Sequence, residues 1–552
     1  MLVSSPRRAL PALALLLSVA AALPARAELP PLISREILFG NPERANPKIS
    51  PDGKRLAWLA PDEKNVLQVW VATIGANDAR KLTADPKRGI RMYEWAADDR
   101  TLLYLQDSDG DENYHVYGAD LATGNVRDLT PFQGVRAGIV HVSPVVKDRF
   151  LVELNLRDRK VFDVHAIDLG TGAVTLEVEN PGDVVAMVAT DDLVVRGGMA
   201  SLPDGGTELR IRGAAGEVWK PLARAGFEEE LELVDFSADA KRAYLRTTIG
   251  SDTTRIVERD LATGAEKVLF VNPKVDATEV VVHPTRHVVE AVASAPDRLR
   301  WKVIDPAVEA DFAAIAKLSR GDFRIVSRDR EDRTWIVGFT EDRGPVRYFS
   351  FDRAAKKGTF LFSNQPKLEG LALAEMKPVA LRARDGLELN GYLTLPVGVP
   401  AKQLPTVLFV HGGPWGRDHW GYNPMVQWLA NRGYAVLQVN FRGSTGYGKK
   451  FLNAGNREWG RKMQDDLTDA VKWAVAKGYA DPERVAIMGG SYGGYATLAG
   501  AAFTPELYRC GVDIVGPSSI KTLLSTIPPY WAPMKGVFAK RVGDIDDPKD
   551  DA

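Results

Sequence analysis

Hydrophobic and polar positions follow two regimes along the chain. From residue 45 to 363 the apolar residues come in short runs, and each run opens after a turn that carries aspartate. ISPDGKRLAWL (49–59), EWAADDRTLLYL (94–105), DFSADAKRAYL (235–245) and SRDREDRTWIV (327–337) share this form. In the first of them Asp52-Gly53 is a tight hairpin signal. A second turn phrase recurs: Asp-Leu-Ala-Thr-Gly at 120–124 and 260–264, and Asp-Leu-Gly-Thr-Gly at 168–172. Asp120 and Asp168 are 48 residues apart. The next two steps, to Asp260 and on to Asp352, are each 92, or twice 46. Weaker copies fill the gaps at 212–217 (RGAAGE) and 305–308 (DPAV), and a first copy fits at 73–78 (TIGAND). A unit of this length holding several short strands is a four-stranded propeller blade. Seven units predict a seven-bladed β-propeller over residues 45–363. A β-sandwich would leave the constant step unexplained.

After a linker at 364–378 the period changes. LELNGYLTL (387–395), TVLFVHGG (406–413), AVLQVNFRG (435–443), RVAIMGGSYGG (484–494) and CGVDIVG (510–516) read as strands. NPMVQWLANRGY (423–434), DDLTDAVKWAVAKG (465–478) and YATLAGAAF (495–503) carry helical spacing, and the first two stop at a glycine. This alternation predicts a parallel-rich sheet covered by helices on both faces, over residues 379–552.

Two strand-to-loop junctions in this second region carry chemistry. Gly489-x-Ser491-x-Gly493 lies between an apolar strand and a small-residue helix, which is the setting of a nucleophile elbow. The backbone N–H of Tyr492 is one expected oxyanion donor. The loop His411-Gly412-Gly413-Pro414-Trp415 is expected to give the second, from Gly413 or alternatively Gly412. His411 precedes these glycines and reads as a residue that shapes the loop. The general base is expected elsewhere.

Composition narrows the picture. The 552 residues carry 71 basic and 72 acidic side chains, and a net charge of −1 gives no footprint for nucleic acid or an anionic membrane. Arg7-Arg8, the apolar run 9–23 and Ala25-Arg26-Ala27 form a secretory signal expected to be cleaved after residue 27, leaving an N-terminal segment 28–44 and a secreted or periplasmic protein. That run is shorter than a membrane span, and no stable membrane insertion is expected. The one cysteine, Cys510, excludes an intramolecular disulfide and is expected to be a buried strand residue. None of the seven histidines has a zinc-motif context, so neither metal nor cofactor is expected. DSDGDEN (107–113) lacks a glutamate at the twelfth loop position, where Gly118 stands, and reads as a charged hairpin tip. Glu228-Glu229-Glu230 reads as a solvated loop, with a tunnel-facing amine site as the alternative.

Taken with ISPDGKRLAW (49–58), ARDGLELNGYLTLP (383–396), VHGGPWGRD (410–418), NFRGSTGYG (440–448) and GGSYGGYA (489–496), the chain resembles the prolyl oligopeptidase family of serine peptidases, in its acylaminoacyl-peptidase and bacterial dipeptidyl-aminopeptidase branch. The resemblance implies an α/β-hydrolase domain capped by a propeller that limits access to short peptides. It implies oxyanion donors at Tyr492 and Gly413, and a substrate pocket built by 518–531, with Leu523 and Tyr530. It also implies a catalytic Asp and then a His after the serine. No histidine follows Ser491, so the family pattern is expected to continue past Ala552, and residues 1–552 alone are expected to be inactive. Two other functions fit the same features: a non-catalytic propeller that binds a partner, and an esterase of the same fold. Exo- against endopeptidase action and oligomeric state are not readable from the chain.

Overall fold

In the computed structural model, residues 29–214, 216–527, 531 and 534–551 are described. The expected signal segment 1–27 lies outside them. Seven antiparallel meanders follow in sequence over residues 45–81, 92–128, 137–178, 184–225, 231–271, 277–303 and 322–363. Each pairs its strands in chain order, and together they are the blades of the propeller. The two recurring turn phrases occupy equivalent places. The aspartate turn joins strands one and two of a blade, as between Ala45–Ile49 and Arg55–Pro61, and the Asp-x-x-Thr-Gly turn joins strands three and four. Their chemistry is shared too: Asp120, Asp168 and Asp260 each accept the backbone N–H of the threonine three residues on, at 2.7–2.9 Å. That side-chain bond closes the turn locally, so the motif survives where flanking residues vary. The sixth blade departs from the repeat. It has three strands, and a short helix, Glu309–Ile315, follows the weak DPAV copy where a fourth strand would run. Phe312 and Ile315 of that helix are buried between the sixth and seventh blades.

Every blade is built from consecutive strands, so side chains rather than a shared strand close the ring. Ile49, Leu56, Trp58 and Ala60 of the first blade pack on Ile336 of the seventh. The Ile49 N–H donates to Ser327 Oγ at 3.1 Å. Polar side chains also reach past the neighbouring blade. Arg330 of the seventh blade binds the Ala97 carbonyl (2.7 Å) and Asp99 (3.0 Å) of the second. His287 of the sixth holds Asp191 of the fourth (2.8 Å) and Asp235 of the fifth (2.9 Å). Each ring nitrogen of His287 faces a carboxylate, so the imidazole is a cation. Those two hydrogen bonds push its pKa up to about 10. Burial works to raise the Asp191 carboxyl, but the bonds from His141 and His287 outweigh it and hold that group at about 2.

The second domain is one six-stranded sheet: β1 (Met376–Arg382), β2 (Glu388–Thr394), β3 (Leu404–Val410), β4 (Ala435–Asn440), β5 (Ala480–Gly490) and β6 (Cys510–Ile514). Their order is β1-β2-β4-β3-β5-β6; β2 is antiparallel to both neighbours, and β4, β3, β5 and β6 are parallel. Helices α1 (Pro424–Asn431), α2 (Lys462–Ala476) and α3 (Tyr492–Phe503) connect the parallel strands. α1 starts where its sequence dictates: the Asn423 carboxamide accepts the N–H groups of Met425 and Val426, and Pro424 occupies the first turn. α2 buries one stripe, Leu467, Ala470, Val471 and Ala474, against β3 and β5 residues such as Leu408 and Ile487. Burying such aliphatic side chains is worth about 1.5–3 kcal/mol for each large one.

Three sequence expectations are corrected here. The first sheet strand begins at Met376, ahead of the expected start at 379. Cys510 is on a strand but exposed, because β6 is the open edge of the described sheet and all five of its residues are exposed. Glu229 is half-buried and not in open solvent: it accepts Lys449 Nζ of the hydrolase domain at 2.6 Å, while Glu228 beside it is exposed. One association was unforeseen. Helix Arg35–Phe39 of the N-terminal segment packs on the hydrolase domain, where Ile33 and Leu38 join Leu368 and Leu373. The Ile33 N–H donates to Asn431 at the end of α1 (2.7 Å). Among the described residues no helix is long and apolar enough to cross a membrane.

Candidate active site

Strand β5 ends at Gly490 and helix α3 begins at Tyr492, so Ser491 is the whole of the turn between them. Its backbone sits at φ 57°, ψ −118°, a combination that L side chains rarely adopt. Neighbouring bonds hold it there: the Ser491 N–H donates to the Ile514 carbonyl of β6 (2.9 Å), and its carbonyl accepts from Tyr495 N–H (3.0 Å). The flanking glycines are steric necessities. A Cβ on Gly489 would lie 2.5 Å from the Gly493 carbonyl carbon, and one on Gly493 would lie 2.2 Å from the Val410 carbonyl oxygen of β3. Glycine at both positions lets β3, β5 and α3 converge and leaves the serine exposed at the crossing.

The Tyr492 N–H stands in the first turn of α3, where a helix has no internal acceptor and presents its positive end. Its side chain points away into the core, with 2 % exposure, against Phe441 (5.3 Å) and Trp459 (4.6 Å). The loop after β3 lies alongside the serine: a Cβ on Gly412 would sit 3.5 Å from Ser491 Cβ. Gly413 is exposed and holds φ 121°, a glycine conformation. The structure thus brings Ser491, Tyr492, Gly412 and Gly413 together.

His411 has its ring stacked on Phe441 at 4.5 Å. Its Nδ1 is 2.8 Å from the Gly412 carbonyl and its Nε2 3.0 Å from Ser444 Oγ. Burial pushes the imidazole down to about 4, so it is neutral. Both nitrogens are engaged in holding the loop, and neither hydrogen-bonds Ser491. Ser444 sits just past β4 on a loop anchored by a buried ion pair. Arg442 binds Asp466 through Nε (2.8 Å) and Nη2 (2.7 Å), and Asp385 through Nη1 (2.8 Å). The fork-on-carboxylate geometry and the complete burial of Asp466 fix this loop.

Sequence reasoning missed Arg442–Asp466 and Asp418. The Asp418 Oδ2 is buried without a partner among the described residues, and burial pushes its carboxyl up to about 7. It also missed what touches the far end of the glycine loop after β3: Trp415 packs on Phe538 at 5.2 Å, beyond the segment assigned to the pocket. Of the two expected pocket residues, Leu523 is half-buried on helix Ile520–Ser525, where Leu524 is the one turned inward, and Tyr530 lies outside the described residues.

Among the described residues one cluster of donor atoms could hold a cation, that of His283, Glu290 and Asp332 between the sixth and seventh blades. Guanidiniums already balance it. Arg328 binds Glu290 (2.7 Å), Arg353 binds Asp332, and His283 Nδ1 accepts two backbone N–H groups. It is an ion-pair network between blades. The hairpin tip 107–113 likewise ties itself to protein, with the buried Asp107 paired to Arg88 (3.3 Å).

A propeller stacked on an α/β-hydrolase sheet, with a serine at its strand-to-helix elbow, defines a class of serine hydrolases. The family model described as Prolyl oligopeptidase family matches residues 420–536. The chain is 46% identical over 531 residues to dipeptidyl aminopeptidase BIII of Pseudoxanthomonas mexicana, spanning 94% of this chain and 76% of that protein. It is 32% identical over 560 residues to dipeptidyl peptidase family member 6 of Caenorhabditis elegans, at 94% and 75% coverage. Among solved structures, a puromycin-hydrolyzing peptidase of Mycobacterium tuberculosis superposes with a TM-score of 0.74 at 19% identity, covering 94% of this chain and 84% of that one. The chain belongs to the prolyl oligopeptidase family, and by that membership it is a serine-type peptidase.

Proposed function

We propose that Ser491 is the nucleophile of an acyl transfer that cleaves short peptides. The observation that carries this is its backbone conformation. A serine held at φ 57°, ψ −118° on a strand-to-helix crossing has no structural reason to be a serine. In the reaction Ser491 Oγ attacks the scissile carbonyl, and its proton passes to a general base. The tetrahedral oxyanion is held by the N–H groups of Tyr492 and Gly413. The carbon–nitrogen bond then breaks, the leaving amine takes that proton, and water releases the acyl group.

Among the described residues no histidine hydrogen-bonds Ser491. Turnover needs such a base: loss of a triad histidine costs on the order of a millionfold. The propeller serves as a size filter, residues 1–27 direct export, and Leu523 lies near the pocket for the residue before the cut. The 46%-identical relative is named a dipeptidyl aminopeptidase, which favours release of dipeptides from a free amino terminus.

The test compares the native gene product with its Ser491→Ala variant on chromogenic dipeptide amides, with the amino end free or acetylated. Turnover of the free form that disappears in the variant supports the proposal. Turnover that persists in Ser491→Ala refutes it, and a preference for acetylated substrates or simple esters would redirect the substrate class.

A further inference from the structure

We propose that His411 is a positioning residue that sets the direction of the Gly413 N–H by holding the other side of the same peptide unit, the Gly412 carbonyl. The proposal rests on the roles given to Ser491 and Gly413 above.

A trans peptide unit is planar, and its C=O and N–H point to opposite sides. Whatever fixes the Gly412 carbonyl therefore aims the Gly413 N–H. The unit lies between two glycines, neither of which has the Cβ that limits backbone rotation elsewhere. No other residue could replace Gly413, which holds φ 121° and where a Cβ would lie 2.7 Å from the Trp415 nitrogen. The backbone thus leaves this unit free to turn, and a side chain has to hold it. The His411 Nδ1 does so, 2.8 Å from the Gly412 oxygen. Among the described residues the Gly413 N–H has no acceptor, so it remains available beside Ser491.

The proton positions follow from the contacts. A carbonyl oxygen only accepts, so Nδ1 carries the hydrogen and donates it. Burial pushes the imidazole down to about 4, so the ring is neutral and Nε2 bears a lone pair. The partner of Nε2 at 3.0 Å is the hydroxyl of the buried Ser444, which is also 2.7 Å from the Phe441 carbonyl. That carbonyl already receives the Ser444 N–H at 3.0 Å, which leaves the hydroxyl proton for Nε2. Ser444 therefore selects the tautomer that holds Gly412. The opposite tautomer would set a lone pair against the carbonyl and turn the peptide away.

The ring itself is held by stacking. It lies on Phe441 at 4.5 Å with 11° between the planes, and Phe441 in turn stacks on Tyr492 at 5.3 Å. One aromatic stack thus runs from the residue that aims the Gly413 N–H to the residue that supplies the other donor. The bond to Gly412 has a second effect: a proton donated to the carbonyl polarises the peptide and makes its N–H a stronger donor.

The experiment uses the native gene product and four variants. In His411→Asn the carboxamide nitrogen takes the place of Nδ1 and can still donate to the Gly412 carbonyl. In His411→Gln the nitrogen lies one bond further out, at the place of Nε2, and meets Ser444 instead. His411→Ala removes both bonds, and Ser444→Ala removes the group that selects the tautomer. For each, kcat, KM, the affinity for a tetrahedral peptide boronate and the affinity for a product dipeptide are measured. His411→Gln and His411→Ala should lower kcat and boronate affinity together by about ten- to hundredfold and leave KM and product affinity within about twofold. His411→Asn should recover at least about fivefold of that loss, the value of one hydrogen bond. Asn and Gln variants equally impaired would overturn the proposal, because the ring would then act through packing alone. So would unchanged kcat and boronate affinity in His411→Gln, or an equal loss of boronate and product affinity. If the variants at 411 do not fold, Ser444→Ala carries the test: about three- to tenfold lower kcat and boronate affinity supports the proposal, and no change in either overturns it. Activity that survives Ser491→Ala instead refutes the nucleophile assignment, independently of His411.

Discussion

The backbone of Ser491 makes a prediction about stability that needs no substrate. At φ 57°, ψ −118° the Cβ of Ser491 is crowded in a way that glycine would not be. A residue kept in such a region costs about 1–3 kcal/mol. Ser491→Ala and Ser491→Gly both remove the hydroxyl, but only the second removes the Cβ. In an ordinary conformation glycine would be the less stable of the two by about 0.5–1 kcal/mol, from its greater freedom in the unfolded chain. Here that term is outweighed, and Ser491→Gly should exceed Ser491→Ala by about 1–2 kcal/mol. For a domain of this size each kcal/mol moves the melting temperature by about 2–4 °C. Scanning calorimetry of both variants should therefore show the hydrolase transition of Ser491→Gly higher by roughly 2–8 °C. If the glycine variant melts at or below the alanine variant, the elbow is unstrained, and the argument that the serine is kept for chemistry loses its physical basis.

Three further outcomes follow from contacts already described. Gly493→Ala would place a methyl 2.2 Å from the Val410 carbonyl, and it should cost more than about 3 kcal/mol or prevent soluble expression; a melting point within 2 °C of the parent would contradict the packing. Asp418 has a folded pKa raised to about 7 by burial, so the folded state binds the extra proton between about pH 4 and 7 and stability falls as pH rises through that window. Asp418→Asn should then gain about 2 kcal/mol at pH 8 and nothing near pH 4, read by denaturant titration, and an equal effect at both pH values would refute this. His287 behaves in the opposite sense. Its pKa is raised to about 10 by Asp191 and Asp235, so its contribution is complete below about pH 6.5 and disappears as pH climbs through 10. His287→Gln should lower propeller stability by about 2 kcal/mol at pH 6.5, after allowance for solvent screening, and the two proteins should converge above pH 10. A gap that does not narrow with pH would show that shape, not charge, is what His287 supplies.

The propeller was legible because its signal is local and repeated. An aspartate that caps its own turn, as at Asp120, Asp168 and Asp260, needs no distant partner, so its spacing appears directly in the chain. The fourth strand missing from the sixth blade was not legible, since the DPAV copy was too weak to tell a strand from the helix that follows it. The elbow was legible for the same reason as the turns: Gly489, Ser491 and Gly493 determine one another's geometry within five residues. Exposure of Cys510 was misjudged because an apolar run marks a strand without saying whether a neighbour covers it. The N-terminal helix was missed because what seats it, Asn431, lies 398 residues from Ile33.

The same distinction between local and distant contacts separates two parts of the catalytic apparatus. The geometry of Ser491 is made by the backbone of β5 and α3 and by the glycines beside it, all within the hydrolase domain. The loop after β3 is held on two scales: His411 ties it to Gly412 and Ser444 inside the hydrolase domain, and Arg417 reaches Ala295 of the propeller, 122 residues away. Contacts close in the chain set the backbone of Ser491, and contacts both near and far set the loop beside it, so the first reads directly as a motif and the second needs the fold.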